Sequence, residues 1–383
     1  MSVSRPRVAV LQHRLLHYRL GLFEQLRIAC ESRGLDLQLI HGDATPTEAV
    51  RKDTGTLPWA TTVKNRVWNV AGRDLLWQPF REAVQGCDLV VLMQESRLLS
   101  NYPWLFGWGP RATRVAYWGH GRNFQSEAPS GWRERWKQRM LTSVDWWFAY
   151  TEMTADIVCQ AGFPAERVTV LNNAIDNRSF ENDLASVSDD EVRALRASIG
   201  AADDACVGLY CGSLYPDKRL ELMLAACEQV VARQPSFRMV VIGDGPSRPL
   251  LEQAMQQPWF HWVGARRGRE KAAWFRASQL FLNPGLVGLH ILDSFVAGAP
   301  MITTRDAKHS PEVAYLRDGI NGLVTDGNAQ AYASAVLGLV EQPERREALA
   351  RQARADAAHY TLDAMVTRFA DGLAACVGAP RLR

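Results

Sequence analysis

The chain has 383 residues, 47% hydrophobic and 22% charged, with a formal net charge of +3. That length points to two domains of comparable size, and so slight a basicity excludes a dedicated nucleic-acid binder while allowing a local basic surface. Seven scattered cysteines, none spaced Cys-x-x-Cys, indicate neither a zinc site nor a disulfide framework, and reduced cytosol is the expected setting.

From the N-terminus, Met1 to Gln12 has no long apolar core, so no signal peptide is expected. Val8 to Gln12 reads as a strand, Leu20 to Gly34 as a helix and Leu35 to Gly42 as the next strand. Asp88 to Met93, Thr113 to Gly119, Asp145 to Thr151 and Arg167 to Asn173 continue the alternation, which predicts a mostly parallel sheet covered on both faces. Tyr18 and Arg19 follow the first strand at the opening of a helix and are candidates to shape a cleft or hold an acceptor. His120, between Gly119 and Gly121, should project from the end of its strand, either as a catalytic group or as an ordinary structural histidine.

Gly131 to Trp147 mixes Trp132, Trp136 and Met140 at helical spacing with Arg133, Arg135, Lys137 and Arg139. Such a helix either packs its tryptophans into its own domain with the charges solvated, or rests on an anionic membrane surface. A polar, helix-prone stretch around Asn182 to Asp204 then precedes a second alternating series. The expected organisation is a first domain over residues 1–180, a linker over 181–205 and a second domain over 206–360. A C-terminal helix over 361–383 is a candidate to pack back on the first domain. The fold class is α/β, with two doubly wound Rossmann-like domains whose strand ends face each other across a cleft.

Three turns of the second series suit phosphate. Val207 to Cys211 is followed by Gly212-Ser213 and Lys218, placed where an ammonium reaches a diphosphate. A strand ending at Ile242 is followed by Gly243-Asp244-Gly245, and a strand ending near Pro284 by Gly285, Leu286, Val287, Gly288 and Leu289, then a helix closed by Gly298. A glycine turn before a helix offers unpaired N–H groups and a positive dipole end to an anion, although each such turn also occurs in plain βαβ units. Asn283, His290 and Asp293 interrupt the apolar run, so no spanning helix is expected.

These motifs, together with FHWVG, DSFVAGAPMITT and PEVAYLRDGINGLVTDG, resemble the family 4 type of GT-B glycosyltransferases most closely over Val207 to Gly327. HYRLGLFEQL and AYWGHG resemble the acceptor-side domain of the same proteins. The resemblance implies transfer of a sugar from a nucleoside diphosphate sugar to a glycan or lipid-linked acceptor, with retention and without metal or other cofactor. Surface polysaccharide or glycolipid assembly is the implied setting, cytoplasmic and peripheral to the membrane. It also implies donor-diphosphate contacts at Gly212, Ser213, Lys218 and Arg219, donor-sugar contact at His120, and a ribose contact at Asp293. Ser213 replaces a common arginine, with neighbouring Arg219 as a substitute, and Gly285 replaces the first of two acidic residues, leaving the N–H groups of Leu286 to Leu289 as the local contacts. The chain lacks Asp-x-Asp, His-Glu-x-x-His and the Gly-x-x-x-x-Gly-Lys phosphate loop. A nucleotide-sugar epimerase and a catalytically silent nucleotide-sugar-binding or scaffold protein are the competing expectations.

Overall fold

The computed structural model describes residues 5–49, 53–121 and 139–382. They form two compact units, residues 1–175 with 362–383, and residues 176–361.

The first unit begins with β1 (Arg7–Gln12), α1 (Leu20–Ser32) and β2 (Asp36–His41). A two-residue strand β3 (Thr61–Thr62) precedes the hairpin of β4 (Arg66–Val70) and β5 (Arg73–Trp77). The hairpin closes on Ala71 and Gly72, with φ of 50° and 76°, and Ala-Gly lacks the Asn-Gly signature that announces such a turn in sequence. Then follow β6 (Leu89–Met93), β7 (Arg114–Gly119), β8 (Trp146–Ala149), α2 (Glu152–Gln160) and β9 (Val168–Val170). Seven strands pair in parallel in the order β3-β2-β1-β6-β7-β8-β9, so the order reverses between β1 and β6. The central strands are Val, Ala and Leu with almost no exposure, as sheets covered on both faces require.

The second unit opens with α3 (Asn177–Ser186) and α4 (Asp189–Ser198), which occupy most of the expected 181–205 linker. That expectation is corrected. Ser188 and Glu191 form a capping box, and buried Arg196 donates to the carbonyls of Ala202, Ala205 and Ala277, so the segment is polar in sequence but fixed in structure.

The rest of the unit is β10 (Val207–Cys211), α5 (Leu220–Arg233), β11 (Arg238–Ile242), β12 (Phe260–Gly264), α6 (Gly268–Ala277), β13 (Leu280–Leu282), α7 (His290–Ala297), β14 (Met301–Thr304), β15 (Gly322–Thr325), α8 (Ala329–Glu341) and α9 (Pro343–Ala357). Helices α3 and α4 both pack on α6. The parallel sheet runs β12-β11-β10-β13-β14-β15, the doubly wound order with its reversal between β10 and β13. Phe237, Met239, Leu280 and Tyr332 fill its core, and the Tyr332 hydroxyl donates to the Ile302 carbonyl at 2.7 Å.

The last helix, α10 (Leu362–Gly378), lies with the first unit against α1, β8 and β9. Phe369 meets Trp118 and Phe148 with ring centroids 4.9 and 4.8 Å apart. A Cβ on Gly372 would stand 2.5 Å from Thr169 Oγ1, so glycine there permits the close approach.

Candidate functional site

In doubly wound sheets, ligands collect at the carboxyl ends of the strands where the order reverses. In the second unit that place lies between the loop after β10 and the loop after β13. The two are joined: Leu286 N–H donates to the Asp217 carbonyl at 2.8 Å, and buried Lys218 Nζ donates back to the Leu286 carbonyl. Asn283 Nδ2 holds the carbonyls of Gly285 and Leu286, both at 3.3 Å, and Thr304 Oγ1 donates to the Pro284 carbonyl at 2.6 Å. Gly285 lies so close to residues 217 and 218 that no side chain fits there.

Three basic groups surround this junction. His309 Nδ1 accepts the Val287 N–H at 3.1 Å while its Nε2 donates to the Thr304 carbonyl at 2.7 Å, which fixes the neutral tautomer. His290 stands at the start of α7 with an enclosed Nε2 that has no partner. Burial lowers the pKa of all three: Lys218 falls to about 8, while His290 is pushed well down by burial and then by Lys218 and His309. Basic groups that depress one another in an enclosed place are arranged to receive an anion. Neither histidine was expected at the site from the sequence, where His290 only marked a break in an apolar run, because the fold is what brings residues 290 and 309 to Lys218.

The other expected donor contacts divide. The N–H groups of Leu286 and Val287 are engaged by Asp217 and His309 and do not face a phosphate, which corrects that expectation; those of Gly288 and Leu289 take no part in these bonds. Arg219, the proposed substitute for an arginine at Ser213, is held by Asp306 at 2.9 and 3.0 Å and by Thr304 Oγ1 at 3.1 Å. Its charge is therefore matched within the protein. Ser213 is exposed beside Gly212. Gly243 and Gly245 serve backbone packing: a Cβ on Gly243 would stand 1.9 Å from the Gly212 carbonyl oxygen, and one on Gly245 2.6 Å from that of Leu214. With Leu214 N–H donating to Asp244 O, and Asp244 Oδ1 accepting the Gly245 N–H, this turn buttresses the Gly212 loop. Asp293, expected on a ribose, is buried and its Oδ1 accepts from Lys271 Nζ at 2.9 Å. Lys271 in turn lies 4.2 Å over the Phe180 ring. Burial raises the Asp293 pKa and Lys271 opposes the rise.

In the first unit the order reverses between β1 and β6, and charged side chains gather at those strand ends. His13 Nε2 lies 3.2 Å from Glu48 Oε1, and its Nδ1 lies 3.3 Å from Glu95 Oε1. Arg97 donates to both carboxylates at 2.8 Å. Burial opposes ionisation of each member, yet the partners prevail: His13 is raised, and Glu95 is lowered to about 2. Sequence reading missed this cluster, whose members are spread from residue 13 to residue 97. His120 stands beside it after β7, its ring 4.3 Å from that of Tyr150 in an edge contact. Burial, then Arg19, lowers its pKa to about 4 against the pull of Glu95, so it is neutral at ordinary pH. Arg19 is buried and donates to the Tyr150 hydroxyl at 2.9 Å; Tyr18 is 39% exposed next to it.

The aromatic, basic stretch 131–147 is described only from residue 139. There Met140, Trp146 and Trp147 are buried, and Trp147 Nε1 donates to the Leu141 carbonyl at 2.7 Å, so they serve the core; Trp132 and Trp136 lie outside the described residues. No helix among the described residues is long and apolar enough to cross a membrane.

Residues 205–342 match the family model for glycosyl transferases group 1. A D-inositol 3-phosphate glycosyltransferase 2 from Catenulispora acidiphila is 26% identical over 256 residues, 61% of this chain and 57% of that one. An alpha-D-kanosaminyltransferase from Streptomyces kanamyceticus is 28% identical over 299 residues, 73% of this chain and 69% of that one. The chain thus spans little more than half the length of the first of these curated relatives. Among solved structures, Anabaena Alr3699/HepE in complex with UDP shares the fold with a TM-score of 0.67 at 15% identity, over 97% of this chain and 100% of that one. The second unit thus carries a glycosyl transferases group 1 domain, and the two Rossmann-like units share the GT-B type of fold with that neighbour along nearly the whole length.

Proposed function

We propose that the protein is a glycosyltransferase that moves a sugar from a nucleoside diphosphate sugar to a glycan or lipid-linked acceptor with retention of configuration. The observation that carries this reading is the basic cluster of Lys218, His290 and His309 around the Gly285 loop, at the reversal of the second sheet. Only two carboxylates among the described residues act on those groups, Asp217 on Lys218 and Asp306, itself paired with Arg219, on His309. A bound diphosphate supplies further negative charge. The Anabaena neighbour's complex with UDP supports the same choice of ligand.

In the proposed reaction the bond from the sugar's anomeric carbon to the diphosphate oxygen breaks while a bond to the acceptor oxygen forms on the same face. The acceptor hydroxyl's proton passes to the departing phosphate oxygen, so no separate protein base is needed. Lys218 stabilises the charge that develops on the diphosphate, and neutral His120 donates or accepts a hydrogen bond at the sugar.

The test is a thermal-shift screen of nucleoside diphosphates and their sugars, followed by product analysis with and without acceptor. Transferase activity requires the acceptor. Conversion of the donor sugar without any acceptor marks an epimerase, and selective binding without turnover across a broad acceptor panel marks a binding protein.

A further inference from the structure

Among the described residues the other buried cations have settled partners, Lys218 on the Leu286 carbonyl among them. Arg14 is paired with Asp53, and Arg196 donates to a set of backbone carbonyls. Arg19 is only 6% exposed, yet no carboxylate among the described residues pairs with it. Its Nη2 donates to the Tyr150 hydroxyl, the Tyr18 hydroxyl also favours its charge, its Nη1 is enclosed without a partner, and its guanidinium carbon lies 4.5 Å from the Trp118 ring centroid and 5.7 Å from that of Tyr150. Aromatic faces orient a guanidinium and attract it, but they do not supply the acceptor that an unpaired N–H needs.

The backbone adds to the imbalance. Arg19 is the N-cap residue of α1, a 13-residue helix with no side-chain cap and no acidic residue in its first turn. A helix N-terminus carries partial positive charge and favours anions, so a cation there is the unfavourable choice. The position also lies beyond the carboxyl end of β1, at the reversal of the first sheet, beside His120. Burial, an unsatisfied donor and a like-signed dipole end are three costs at one residue, and one anion removes all three.

We propose that Arg19 receives an anionic group of the acceptor, a carboxylate or a phosphate, so that the acceptor is an acidic glycan or a phosphorylated lipid carrier. The proposal rests on the transferase reading above, and the donor diphosphate is the rival source of the same oxyanion chemistry. Arg19 holds the His120 pKa down, so an anion bound at Arg19 shifts it back up and gives the site a reporter.

The experiment uses the full chain with histidine-selective isotope labelling and follows the His120 imidazole by NMR. The probes are glucuronate, glucose 6-phosphate and glucose, each with and without saturating uridine diphosphate. In the wild type at least one of the two anionic probes moves the His120 signal and raises its pKa, whereas glucose does not. Arg19→Met weakens that binding at least tenfold, Arg19→Lys retains part of it, and the affinity for uridine diphosphate changes less than twofold in both. Arg19→Met should fold well, because it exchanges an unpaired buried charge for an apolar chain; melting of the apo protein checks this. The proposal is overturned if neither anion binds, if Arg19→Met binds them as the wild type does, or if uridine diphosphate affinity falls in parallel, which would assign the oxyanion to the donor. Failure of uridine diphosphate and all other nucleotides to bind the wild type would instead sink the transferase reading while leaving anion capture at Arg19 measurable.

Discussion

Gly285 lies against the backbone of Lys218: a Cβ on Gly285 would stand 2.4 Å from Lys218 Cα and 2.2 Å from the Asp217 carbonyl oxygen. The place where relatives of this type are expected to carry an acid is here a point of contact between the two loops of the reversal. A side chain at residue 285 must push the loops apart, and with them the bond from Lys218 to the Leu286 carbonyl.

Gly285→Ala is therefore expected to lower stability by about 1–3 kcal/mol, the usual cost of overpacking, and to weaken nucleotide binding. Gly285→Glu, which restores the expected acid, should be worse in both respects. Melting temperatures and nucleotide titrations of the two variants check this, and a stable Gly285→Glu protein with undiminished binding would refute it.

Lys218 should show the opposite signs for stability and function. Its folded pKa of about 8 lies below the ordinary 10.5, so between those values the unfolded chain binds more protons than the folded one. Stability of the apo protein then rises with pH across that window, by up to about 3 kcal/mol. Affinity for a nucleoside diphosphate falls above about pH 8 as the ammonium loses its proton. Lys218→Met should remove both pH dependences, hold or raise the apo melting temperature and weaken nucleotide binding. Loss of stability at pH 7 together with unchanged affinity would make Lys218 a structural residue.

Asp293 and Lys271 form a pair enclosed by Phe180, so each depends on the other. Asp293→Asn keeps the shape but leaves the Lys271 ammonium without its counter-charge. The apo protein should lose about 1–3 kcal/mol. Adding Lys271→Met should recover part of that loss, a coupling read from a double-mutant cycle of denaturation midpoints. If the two losses simply add, the pair carries no interaction energy.

The alternation of apolar runs and amphipathic helices made the two α/β units legible in the sequence, because buried parallel strands leave short apolar segments and helices a 3.6-residue period. The glycine turns and Lys218 were legible for the same reason: they follow strand ends. What the sequence concealed was pairing. Asp293 was expected on a ribose and Arg219 on the donor diphosphate, whereas α6 brings Lys271 to the first and the β14 loop brings Asp306 to the second. Gly243 and Gly245 resembled a phosphate cradle, yet the contact that needs their missing Cβ is with residues about thirty positions earlier. Residues 181–205 were polar enough to resemble a linker, although the Ser188 and Glu191 capping box is a local signal for a helix start.

His120 is the residue whose protonation most directly separates a structural from a functional role. Burial and Arg19 hold its pKa near 4, so the imidazole is neutral throughout the range in which transfer would be measured. Its contribution to rate should therefore be flat from about pH 5 to pH 8 and decline only below, where protonation replaces an acceptor nitrogen with a second donor. Because the folded pKa lies below the ordinary 6.5, the unfolded chain binds the extra proton between pH 6.5 and 4. Stability is therefore lost as pH falls through that window, by up to about 3 kcal/mol. His120→Gln should remove this acid sensitivity, and His120→Ala should lower turnover roughly ten- to a hundredfold, the effect of one hydrogen bond lost from a transition state. Nucleotide affinity should stay the same in both variants. The decisive comparison is turnover against nucleotide binding in His120→Ala: a variant that melts lower but turns over at the wild-type rate would leave the ring as packing for Tyr150, and the sugar contact would have to come from another residue.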